Sequence, residues 1–192
     1  MKRRDILLSV PLVSLAGTLP VLAEPVGVPS MFMTKAIQKT PVWCWAAVLE
    51  MLLKHHGVPW EQEDIVAAIK GQLVVETASS GEISAFLNGL KLNANGTIWR
   101  AKCLAGSGAP KVQYVNYELK NNRPFILQIQ LSPQMRHVVL VTSVNMIDEG
   151  NGTTRLAHVS YVDPLDGQVH VFTGKQFYDR ALSYWFVKIN EA

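Results

Sequence analysis

Apolar positions along this chain repeat with two different periods, helical in the first half and alternating in the second, and the change falls near a turn cluster at Asn93-Ala94-Asn95-Gly96. In the stretch Pro41-Val42-Trp43-Cys44-Trp45-Ala46-Ala47-Val48-Leu49-Glu50-Met51-Leu52-Leu53-Lys54-His55-His56-Gly57, residues Ala47, Val48, Met51, Leu52 and His55 recur at i, i+3/i+4 spacing. Pro41 favours a break before this helix and Gly57 suits the position just past its end. A second helix is predicted over residues 58–70, with Glu61, Glu63 and Asp64 early and Lys70 last. A third covers residues 79–90, with Ser79 as cap and Ile83, Phe86, Leu87 and Leu90 on one face. Beyond the turn cluster, residues 97–101 lead onward and residues 112–120 form a helix ending at Asn121-Asn122. Strand patterns follow at 124–131, 137–144, 155–162, 168–172 and 184–189. Helices first and antiparallel strands afterwards indicate an α+β domain.

Composition adds a boundary at the N-terminus. Met1-Lys2-Arg3-Arg4-Asp5 is a charged head on an apolar body, and Val21-Leu22-Ala23 supplies small residues at a cleavage site after Ala23. Residues 1–23 therefore read as an export signal. Pro11, Gly17 and Pro20 interrupt the run, which speaks against a membrane anchor. Arg3-Arg4-Asp5-Ile6-Leu7 also resembles a twin-arginine signal, and the expected location is the periplasm or the extracellular space. Residues 24–37, with Pro25, Gly27 and Pro29, are expected to run along the surface as an N-terminal extension, and residues 38–192 form one domain. The net charge of +3 falls to +1 without Lys2, Arg3, Arg4 and Asp5, so nothing argues for a nucleic-acid partner. The two cysteines, Cys44 and Cys103, could pair in an oxidising compartment, but a chain of this length can do without a staple, and two free thiols are expected. Asn95-Gly96-Thr97 and Asn151-Gly152-Thr153 match the glycosylation sequon and equally suit turns, the preferred reading.

The candidate chemistry starts at Cys44. A thiol in the first turn of a helix faces unpaired N–H groups and the positive end of the helix dipole, both of which favour a thiolate nucleophile. From this segment alone a small buried core cysteine fits equally well. A cysteine nucleophile needs a base from elsewhere in the chain. His55 and His56 lie at a helix C-terminus, where an imidazolium complements the dipole, and His158 and His170 lie within strand patterns. No Cys/His spacing suggests zinc. His137 opens a strand directly after the polar stretch Ser132-Pro133-Gln134-Met135-Arg136, at a sheet end where a cleft could reach it. If the following hairpin is centred on Gly150, Asp163 lies directly across from His137, where opposed Cβ atoms are ~5 Å apart and a carboxylate can hold an imidazole N–H. Asp163-Pro164-Leu165-Asp166-Gly167 is also a turn sequence, and both roles are compatible. The oxyanion of an acyl-transfer intermediate needs donors: the Cys44 N–H is one, and the side chain of Gln38, six residues upstream, could be the second. Trp43 and Trp45 flank the nucleophile, one expected in the core and the other a candidate for lining the cleft.

Gln38-Lys39-Thr40-Pro41-Val42-Trp43-Cys44-Trp45-Ala46-Ala47, followed by His137-Val138-Val139 and Val162-Asp163-Pro164, resembles the papain-like cysteine peptidases. Within them it is similar to a bacterial secreted and effector branch whose nucleophile helix begins Trp-Cys-Trp-Ala-Ala, and more distantly to bacteriocin-leader peptidases. The resemblance implies a helical layer carrying Cys44, a β layer carrying His137 and Asp163, and a cleft between them. It implies a secreted thiol peptidase acting on protein or peptide substrates as a monomer, without cofactor or metal. Asp163 stands where papain has asparagine, which leaves Cys-His-Asp acyl transfer as an alternative, and an inactive binding module is a third reading. The disulfides of other secreted members are missing, and residues 24–37 are too few for a folded inhibitory pro-segment.

Overall fold

The computed structural model describes residues 24–29, 33–88, 91–94, 96–150 and 152–191, and the expected export signal lies outside them. Its organising helix, α1 (Cys44–His55), has every residue from Trp45 to Leu53 buried. A helix that is apolar on all faces belongs inside a domain rather than on it. It ends at His56 and Gly57, whose φ of +80° is the left-handed conformation predicted from sequence. Helices α2 (Gln62–Lys70) and α3 (Ser80–Leu87) complete this layer, each opened by a reciprocal capping box, Glu61 with Asp64 and Ser79 with Glu82. No helix among the described residues is long and apolar enough to cross a membrane.

The rest of the chain builds one antiparallel sheet. Its strands are β1 (Val26–Gly27), β2 (Lys91–Ala94), β3 (Thr97–Ser107), β4 (Phe125–Ser132), β5 (Met135–Asp148), β6 (Thr154–Asp163), β7 (Gln168–Thr173) and β8 (Ala181–Glu191). The order across the sheet is β2-β3-β8-β4-β5-β6-β7, with β1 also pairing β5. Strand alternation divides the core in two. Ile126, Val138, Leu140, Val162, Trp185 and Val187 meet α1–α3. The intervening Phe125, Leu127, Val139, Val141, Tyr161 and Phe186 form a second cluster with Val115 and Leu119 of α4 (Val112–Lys120) and Phe177 of α5 (Gly174–Arg180). The fold is the expected α+β, with the sheet covered on both faces. Among the hydrogen bonds that tie the helical layer to the sheet is that from Trp185 Nε1 to Ser84 Oγ at 2.8 Å.

Three expectations need correction. The described residues of the 24–37 segment do not simply run along the surface: β1 pairs β5, and Val28, Met33 and Ala36 are buried in the core. Helix α5 was not anticipated, although Thr173 and Gln176 form a capping box whose spacing is visible in the sequence. His56 is not an imidazolium at the helix end, because burial, reinforced by His55 and Arg123, pushes its pKa down to about 4. Cys44 and Cys103 are unpaired, and burial raises the Cys103 thiol to about 12.

Gly27 has φ +140°, and a Cβ there would lie 2.2 Å from the Thr142 carbonyl oxygen. Gly27→Val should therefore detach β1 and cost about 1–3 kcal/mol of stability, read as a lower urea midpoint; an unchanged midpoint would contradict the docking of this segment.

Candidate active site

Cys44 occupies the first position of α1 because Pro41 and Val42 form a turn before it and Trp43 N–H closes onto Thr40 O at 3.2 Å. The N-cap residue is Trp43, whose indole cannot accept a hydrogen bond from the first-turn N–H groups. Helices α2, α3 and α5 all satisfy such groups with side chains. At α1 the donors stay available to a ligand, next to the Cys44 thiol.

The structure brings His137 and Asp163 to this point. His137 is the third residue of β5, 4% exposed, and its Nε2 donates to Asp163 Oδ1 at 2.7 Å. Cys44 is close enough to act on the His137 pKa, and both residues line the same cleft. The pairing that suggested this contact was two residues out of register. Asp148 faces Thr154 and Leu140 faces Val162, with two bulges between them that offset one another. Continuing that ladder puts Asp163 across from Val139, so His137 and Asp163 are diagonal neighbours. An offset of two preserves the face, and an imidazole is long enough to span the diagonal.

Asp163 also shapes the turn that follows it. Its Oδ1 accepts from Leu165 N at 2.9 Å and its carbonyl from Gly167 N at 2.8 Å. The turn thus fixes the carboxylate that holds the imidazole. Burial pulls the pKa of His137 down, but hydrogen bonds and charge from Asp163 and Cys44 more than offset it and carry it up to about 9. Burial likewise raises Asp163, while His137 and the Leu165 N–H hold it below the usual carboxylate value. At neutral pH the pair is imidazolium and carboxylate.

Cys44 and His137 line a cleft of about 740 Å³ between the two layers, and Asp163 stands behind His137. One wall is the loop Thr77–Ser80 with Glu82, and the other is Gln128, Leu131 and residues 134–138 of the β4–β5 hairpin. Gln38 lies at one end with Leu165. The Gln38 Nε2 donates to Thr40 O at 2.9 Å, leaving a second N–H, and its buried Oε1 has no partner among the described residues. Both tryptophans are buried, and only Trp45 lines the cleft. Their indole N–H groups act together on the cleft wall: Trp43 donates to Val74 O at 3.0 Å and Trp45 to Glu76 O at 3.2 Å. That bracing role, and the wall residues themselves, carried no sequence signal, because loops lack a period from which to place them.

The sign of the linkage follows from the His137 shift. Its folded pKa, about 9, exceeds the unfolded value near 6.5, so its contribution is fully present below about pH 6.5 and is lost as pH rises through about 9. Urea unfolding between about pH 5 and 10 should show a loss on the order of 2 kcal/mol across that window. Asp163→Asn should flatten this profile and return the His137 titration, followed by NMR, toward its ordinary value.

Comparison with known proteins agrees with this geometry. The family model described as papain-like cysteine protease AvrRpt2 matches residues 27–181. No curated protein sequence is matched. Among solved structures, the peptidase domain of Streptococcus ComA, a bi-functional ABC transporter involved in a quorum-sensing pathway, superposes with a TM-score of 0.56 at 15% identity, covering 80% of this chain and 96% of that domain. At that identity the likeness speaks for the fold, which is papain-like. With the helix that begins at Cys44 set against the sheet that carries His137, and a family match over most of its length, the chain belongs to the papain-like cysteine protease AvrRpt2 family and is a cysteine peptidase.

Proposed function

We propose that the protein is an exported thiol peptidase in which Cys44 is the nucleophile, His137 the proton carrier, Asp163 the residue that orients it and Gln38 an oxyanion donor. The observation that carries the reading is that Cys44 and His137 line one cleft while His137 is hydrogen-bonded behind it to Asp163. The proton that His137 carries as imidazolium is the one taken from Cys44, and Asp163 stabilises that state. The thiolate attacks the amide carbonyl carbon, and the carbonyl π electrons move to oxygen. The oxyanion is held by the Cys44 N–H and by the second N–H of Gln38. His137 then gives its proton to the leaving amine as the C–N bond breaks, leaving a thioester on Cys44. Water, activated by His137, attacks that thioester and releases the acid and the free thiol.

The substrate is a protein or peptide, and its chain lies between the 77–80 loop and the β4–β5 hairpin. Exposed Leu131 and Met135 on the hairpin and Leu165 at the far end offer apolar surface to it. Export follows from the leader of residues 1–23, and the enzyme acts as a monomer that needs no metal or cofactor.

Digestion of an unbiased peptide library tests this. Cleavage should fall about 10⁴-fold or more in Cys44→Ala and in His137→Ala, and about 10²-fold in Gln38→Ala. Full cleavage by Cys44→Ala would overturn the assignment. Adding a primary amine should leave hydrolysed products dominant; mainly transferred product would make the enzyme an acyltransferase.

A further inference from the structure

We infer that Gln62, which lines no part of the cleft, is a positioning residue for the reaction, its buried amide holding the loop that aims Gln38 at the oxyanion. The inference rests on the reading of Gln38 proposed above.

Gln62 opens α2 and is 1% exposed. A primary amide so deeply buried has to find partners for its donors and its acceptor. Its Nε2 donates to Ile37 O at 3.0 Å and to Glu50 Oε2 at 2.8 Å. Its Oε1 accepts from Lys39 N at 2.9 Å. Ile37 O and a carboxylate can only accept and Lys39 N–H can only donate, so one orientation of the amide satisfies all three. The two backbone groups it grips belong to the residues immediately before and after Gln38. One side chain thus stands in for a neighbouring strand, engaging the loop at a C=O and an N–H with Gln38 between them.

The same loop is tied to the opposite layer. The Gln38 N–H donates to Pro164 O at 2.8 Å, in the turn fixed by Asp163. Residue 38 is therefore located by the helical layer through Gln62 and by the sheet through Pro164. Behind Gln62, Glu50 is 5% exposed and its Oε1 accepts from Lys54 Nζ at 2.7 Å. Burial pulls the pKa of Lys54 down, but its bonds to Glu50 and to Glu61 leave it above the usual lysine value. Lys54 fixes the Glu50 carboxylate in place, and the carboxylate aims the Gln62 amide in turn. Apolar side chains of similar volume could fill this space without loss of stability. What the polar series adds is the position of a loop, which an oxyanion donor needs to within about 0.5 Å.

The test compares two reactions of Cys44 in the full-length protein. Acylation by p-nitrophenyl acetate passes through a tetrahedral oxyanion, whereas alkylation by iodoacetamide does not; Cys44→Ala supplies the background for both. Gln62→Met keeps the volume and removes the hydrogen bonds. It should slow acylation about 10-fold or more while alkylation stays within about 2-fold. In the Gln38→Ala background the same change should have no further effect on acylation, because the group it positions is gone. Equal slowing of both reactions, or slowing that multiplies with that of Gln38→Ala, would overturn the inference. If Gln38→Ala itself leaves acylation unchanged, it is the oxyanion assignment that fails. Should Gln62→Met not fold, Glu50→Met removes the acceptor that anchors the Gln62 amide, and the same split between acylation and alkylation is expected of it; its absence would count against the proposal.

Discussion

A helix buried on every side cannot shift without opening the core, and the active cleft depends on that constraint. The run from Trp45 to Leu53 is enclosed by the sheet and by α2 and α3, so the start of α1 is placed by packing rather than by a cap. Full burial of side chains such as Leu49, Leu52 and Leu53 contributes about 1.5–3 kcal/mol each. That apolar energy allows a helix end without a side-chain cap to persist beside the cleft.

Polar contacts then convert this rigid placement into a directed site. Gln38 N–H to Pro164 O links the loop before α1 to the turn after β6, and the same turn holds the carboxylate of Asp163. His137 sits between that carboxylate and Cys44 and carries a proton at neutral pH. The two indoles of Trp43 and Trp45 hold the opposite wall through carbonyls of the 74–76 segment. Apart from the local turn bond at Asp163, these bonds join residues far apart in sequence, so the cleft exists only once the chain has folded.

The order and type of most elements were legible because their periods are strong: α1, α4 and the strands from β4 onward stand close to where the pattern predicts them. The failures have separate physical causes. Helix α5 is only seven residues long, and its one clear mark is the Thr173/Gln176 capping box. Residues 24–37 look like a loop by their prolines and glycines, yet Val26–Gly27 completes an edge of β5 that β4 leaves free. The hairpin register differed by two residues because the turn centres one residue beyond Gly150, as the pairing of Asp148 with Thr154 shows, and packing rather than the turn sequence settles that centre. The His137–Asp163 contact survived that error because a shift of two keeps both side chains on one face.

By itself the sequence determined the helix that starts at Cys44, the strand that opens near His137, the turn at Asp163 and the α+β order of the domain. These depend on local period, on proline and glycine, and on residue type, all of which act over a few positions. Tertiary structure alone decided that Trp43 turns inward while Trp45 reaches the cleft, that His56 is buried neutral, and that Gln62 grips the loop on both sides of Gln38. Those outcomes depend on desolvation and on hydrogen bonds between groups up to tens of residues apart, which exist only once the layers have closed on one another.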